Sequence, residues 1–234
     1  MNTRSIFAAA TSAIALLAAN PALAAVTING GASGTTTLTN VGDSATVTFN
    51  GYGGPVPAVI PGLSSSLQLT FQGIFGTSYR FAYALTNGAT LAGTRVSSFG
   101  FNVNPNITSA SATGAFDTAN TNVNYPVGFG RVEVCFYDGP RGTCTGNGNG
   151  VAFGTTGSGI LNLTFGAGAP ANITLTDFVD RYQAFNYQGI GSAIGIPTGV
   201  PEPASWGLMI LGIGLAGAAM RRQKQTVDAK INFA

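Results

Sequence analysis

Histidine is absent from all 234 residues. That removes the imidazole base, Ser-His and Cys-His nucleophilic pairs, and the commonest transition-metal ligand. Lysine is absent between residues 25 and 199, so Ser-Lys and Schiff-base schemes are excluded there too. Cysteine occurs only as Cys135 and Cys144, too few soft ligands for a zinc site without histidine. Charged residues make up 8% of the chain. Between 25 and 199 five arginines face six acids with no basic cluster, so the electrostatic footprint of nucleic-acid binding is missing.

Both ends carry what the middle lacks. Near the N-terminus Arg4 precedes an apolar run from Ile6 to Ala19, and Ala22-Leu23-Ala24 supplies small residues before Ala25. Residues 1–24 read as a signal peptide cleaved after Ala24. Near the C-terminus no side chain from Ala204 to Met220 ionises, and a helix of that length spans about 25 Å, close to the roughly 30 Å of a bilayer core. Arg221, Arg222 and Lys224 follow at once, which places the tail 225–234 in the cytoplasm and the bulk of the chain outside. Trp206 falls at the outer end of this expected transmembrane helix, 204–220, where an indole favours the headgroup region. Gly212, Gly214 and Gly217 match the dinucleotide-binding pattern, but no strand precedes them, so they point to close helix approach instead.

The remainder, 25–188, is expected to be one all-β ectodomain, a β-sandwich or jelly roll, with the β-helix as competitor. Thirty of the 34 glycines fall between the two targeting ends, as suits many turns. Apolar and polar residues alternate over Ala45–Phe49, Leu67–Phe71 and Leu161–Phe165, the pattern of strands with one wet face. Tyr79–Leu85, Phe99–Val103, Val132–Tyr137 and Asn172–Phe178 add candidates, and Asn50-Gly51 and Asn87-Gly88 suit tight turns. Residues 189–200 read as a linker. An exported chain meets an oxidising compartment, so a Cys135–Cys144 bridge is expected to stiffen a hairpin and contribute about 2 to 3 kcal/mol.

Carboxylate chemistry is the catalytic option that survives. Asp117, Glu133, Asp138, Asp177 and Asp180 could supply the two acids of a glycosidase, although no spacing singles out a pair, and solvated surface charge is the simpler reading. Asp138, Asn147 and Asn149 offer oxygens for calcium without an EF-hand loop. Tyr52, Tyr125, Tyr182 and Tyr187 are the aromatic residues on which a sugar could stack, and Thr35–Thr37 with Thr46 and Thr48 could form a flat surface suited to ice. No catalytic residue, metal ligand or cofactor is assigned.

The C-terminal order of Pro201, Glu202, Pro203, Trp206, the apolar run and Arg221-Arg222 resembles the PEP-CTERM proteins, in the variant with tryptophan three residues past the second proline. Gly207 stands where alanine is usual, and residues 225–234 extend beyond the basic cluster. The resemblance covers about 35 of the 234 residues, with 201–224 as the sorting and anchor segment, and implies export by a Gram-negative bacterium, with an exosortase-type membrane enzyme as processing partner. It further implies transient or permanent anchoring in the inner membrane, then the cell surface or the extracellular space. The biofilm setting of that family implies extracellular polysaccharide as a partner. The expected role is structural or adhesive, with a glycan- or ice-binding module as alternative and a secreted glycosidase third.

Overall fold

The computed structural model describes residues 24–139, 143–145 and 149–198. The expected signal peptide up to Leu23, the sorting and anchor residues 201–224 and the tail lie outside them. In chain order the elements are β1 (Ala25–Asn29), a 3-10 turn (Gly31–Ser33), β2 (Thr35–Leu38), β3 (Ser44–Gly53), β4 (Ala58–Phe75), β5 (Ser78–Asn87) and β6 (Arg95–Asn104). There follow β7 (Ser109–Gly114), β8 (Thr118–Tyr125), β9 (Gly130–Tyr137), β10 (Val151–Ala152), β11 (Thr156–Thr164), β12 (Asn172–Tyr187) and β13 (Ile190–Pro197). Ala25, the expected mature N-terminus, is the first residue of β1.

These strands form one sheet in the order β7-β11-β5-β4-β3-β13-β12-β6-β9-β8. β1 runs parallel to the start of β12, β2 pairs with β1, and β10 pairs with β6. The two terminal strands, β7 and β8, approach each other, so the sheet curls into a nearly closed, barrel-like shell. The all-β expectation therefore holds, but a single continuous sheet stands where a two-sheet sandwich was expected. Alternation places the core. Every second residue of β5 is buried, and Tyr79, Phe81, Tyr83 and Leu85 point inside with Leu67, Leu69 and Phe71 of β4. Phe99 meets Phe116 edge to face at 5.2 Å, and Phe101 lies 5.1 Å from Phe178, arrangements that aromatic quadrupoles favour.

Where β6, β9, β12 and β13 adjoin, the sheet is buried on both faces. Val132, Cys135, Val179 and Ile194 form a second apolar cluster with Tyr125 and Cys144. Residues 190–197, expected within the 189–200 linker, form β13 between β12 and β3, with Ile194 opposite both Arg181 and Tyr52. Ala193, Ile194 and Gly195 are buried in succession, which leaves no alternation to betray the strand, and packing requires the glycine at 195. A Cβ on Gly195 would fall on the Asp180 carboxylate. Asn50-Gly51 is likewise no turn. It lies inside β3 at a register shift, and the Leu63 side chain occupies the space a Cβ would need at Gly51.

Candidate functional site

Each of the five candidate acids accepts hydrogen bonds from neighbouring groups of the fold. β6 pairs with β9 only over Ser98–Phe101. Beyond that, side chains replace the ladder: Glu133 accepts the Val103 N–H at 3.0 Å and the Ile107 N–H at 2.6 Å, and its own N–H donates to Asn102 at 2.7 Å. Burial pushes the Glu133 carboxyl up while these donors oppose the shift. Asp177 accepts from Asn102 at 2.9 Å and Thr176 at 3.0 Å. Asp117 accepts the Gly139 N–H at 2.9 Å, and Asp138 accepts the Gly150 N–H at 3.3 Å. Among the described residues no group of three or more His, Cys, Asp or Glu could hold a metal. Asn147 lies outside those residues, and Asn149 is exposed.

Asp180 is the exception to surface charge. It shares the inner face of β12 with Phe178 and Tyr182, fully buried. Ser65 of β4 donates to its Oδ2, and the Tyr182 hydroxyl donates to Ser65 at 2.9 Å. Its Oδ1 has no hydrogen-bond partner among the described residues. Burial pushes this carboxyl from its usual 3.8 up to about 7, opposed by the Ser65 hydroxyl.

The splay between β6 and β9 opens an outward groove of about 600 Å³, lined by Asn102, Asn106, Thr121, Asn122, Arg131 and Glu133 among others. Arg131 donates to Asn122 at 2.7 Å, so the guanidinium is fixed against the groove wall. Sequence reasoning missed this feature, because β8 reads Thr-Ala-Asn-Thr-Asn-Val-Asn-Tyr and carries too little apolar alternation to announce a strand. The run of Asn and Thr was the available signal. Two of the tyrosines read as sugar platforms are unavailable, since Tyr125 and Tyr182 are fully buried, while Tyr52 and Tyr187 are half-buried.

Cys135 and Cys144 are bridged, with Cα atoms 6.1 Å apart. The bridge does not stiffen a simple hairpin. It holds the segment after β9 over the outer apolar cluster, where Ser98 donates to the Cys144 carbonyl at 2.8 Å and shares a 3.1 Å hydrogen bond with the Tyr125 hydroxyl. Burial drives the Tyr125 phenol well above its usual value. Of the threonine rows, Thr35–Thr37 and Thr46 are exposed but Thr48 is half-buried. β2 and β3 are not paired with each other, so the two rows do not share one ladder.

Thr48 instead fastens the C-terminal end of the described chain. The Thr198 N–H donates to the Thr48 carbonyl at 2.8 Å, and the Thr198 carbonyl accepts from Ser33 at 2.6 Å and Thr48 at 2.9 Å. The candidate sorting residues Pro201, Glu202, Pro203 and Trp206 and the basic stop Arg221, Arg222 and Lys224 lie outside the described residues, as does Ala22 of the cleavage site. No curated protein and no solved structure matches the chain significantly. Residues 199–223, beginning where the pinned segment ends, match the PEP-CTERM protein-sorting motif, which is consistent with a PEP-CTERM protein.

Proposed function

We propose that this chain is a structural or adhesive protein of the cell surface or extracellular matrix. In this reading 204–220 anchors the precursor in the inner membrane, and an exosortase-type enzyme processes it at the sorting motif. The carrying observation is the motif match over 199–223 directly after the folded domain. PEP-CTERM proteins are exosortase substrates, and the motif implies export with membrane-associated sorting. The hydrogen bonds that Asn102, Gly139, Gly150 and Ser65 donate to the acids support a scaffold over a glycosidase, because each of these carboxylates already serves a backbone or side-chain donor.

The groove favours a second reading, a glycan-binding module. Asn side chains, a fixed guanidinium and a carboxylate present the donors and acceptors that sugar hydroxyls need. Pull-down of the full chain on the producer's own polysaccharide separates the two. Unsaturable retention that is indifferent to Arg131→Ala supports the matrix role, whereas saturable binding that falls at least tenfold in Arg131→Ala supports the module.

A further inference from the structure

Apolar residues gather at one end of the barrel. Val41 in the β2–β3 turn is 67% exposed, and Ile74 and Phe75, where β4 turns into β5, are 37% and 49% exposed. They are contiguous, since a Cβ on Gly73 would lie 3.4 Å from Val41 and 3.7 Å from Phe75. Arg80 places its guanidinium 3.9 Å from the centre of the Phe75 ring and is steadied by Asn162 at 3.1 Å. Asp43, the acid of the same turn, points inward to the Thr39 and Asn40 N–H groups at 2.9 and 2.8 Å.

The chain leaves the domain toward this end. β13 runs antiparallel to β3, with Ile194 opposite Tyr52 and Pro197 opposite Phe49, and Thr198 then bonds to Thr48, heading for Ser44 and the β2–β3 turn. Ala204, where the apolar run starts, is six residues past Thr198. Six residues reach at most about 20 Å. Ser44 is already about 14 Å beyond Thr48 along β3, and the turns project further. A tether this short does not let that end clear a bilayer.

We propose that the end of the barrel built by the β2–β3 and β4–β5 turns rests in the interface of the bilayer that holds the C-terminal segment. Val41, Ile74 and Phe75 sit at the boundary between headgroups and acyl chains, and Arg80 meets the phosphate of anionic phospholipid. An aromatic ring with a cation beside it suits that boundary. The inference rests on the anchor reading given under the proposed function. Its consequence is that the sorting enzyme meets a domain already oriented on the membrane.

The test uses the full chain in vesicles of phosphatidylethanolamine and phosphatidylglycerol with brominated acyl chains. Trp206 is the only tryptophan, so it reports the anchor in the parent protein, while Phe75→Trp or Val41→Trp combined with Trp206→Phe reports the tip. Val56→Trp with Trp206→Phe, at the exposed β3–β4 turn of the opposite end, is the control. The proposal predicts blue-shifted, bromine-quenched emission from both tip tryptophans and water-like, unquenched emission from position 56. Unquenched tip tryptophans beside a quenched parental Trp206 overturn the docking and leave the anchor standing. Quenching at position 56 in place of the tip overturns the orientation, and an unquenched parental Trp206 overturns the anchor and the docking together.

Discussion

Asp180 holds the least solvated charge described in the protein, and its two neighbours decide its behaviour. Ser65 and Tyr182 give one short chain of hydroxyls to a single carboxylate oxygen, and the other oxygen has no hydrogen-bond partner among the described residues. A folded-state value of about 7 against a usual 3.8 means the folded protein binds this proton more tightly than the unfolded chain. The associated stability is full below about pH 4 and is lost as pH rises toward 7, an effect of about 4 kcal/mol for one group. Chemical denaturation from pH 4 to 8 should therefore show falling stability in the parent. Asp180→Asn should remove most of that slope and be the more stable protein at pH 8, while Glu133, also raised by burial, leaves a smaller residue. A parent stable to the same degree at both pH values contradicts the assignment. The sequence carried half of this. Period-2 reading puts position 180 on the face of Phe178 and Tyr182, but Ser65 lies 115 residues away, and no local pattern reveals such a partner.

At the scale of the element, legibility followed solvation. β3, β4 and β11 have one wet face, so their alternation was readable from the residues alone. β13 is buried in succession at Ala193, Ile194 and Gly195, and β8 is polar beside the groove, so neither shows that alternation. The disulfide was readable from export and the cysteine count, but its task was not. It fastens the segment after β9 above Tyr125 and Ser98. Replacing both cysteines, Cys135→Ser with Cys144→Ser, should cost about 2 to 3 kcal/mol in denaturant unfolding. Release of this cover should also speed hydrogen exchange at β9 and leave β5 at parental protection. Uniform acceleration across both strands would contradict a local role.

Over the described residues the chain is a curled sheet whose ends nearly meet, which leaves little of its edges open to pair with other chains. Composition indicated strands and turns, but one sheet or two depends on long-range pairing such as β13 with β3, which the residues do not spell out. The sorting motif was legible at the C-terminal end, because sorting imposes residue-order and charge rules on a short segment. The groove beside Arg131 required three strands brought together from β6, β8 and β9. Surface delivery through the C-terminal sorting motif is decided by mass mapping of the C-terminus in protein recovered from surface and medium. In cells with the sorting enzyme the recovered chain should lack Arg221 and Arg222, and in cells without it the chain should stay membrane-bound and run to Ala234. A surface or medium protein that ends at Ala234 whether or not the enzyme is present would contradict the account.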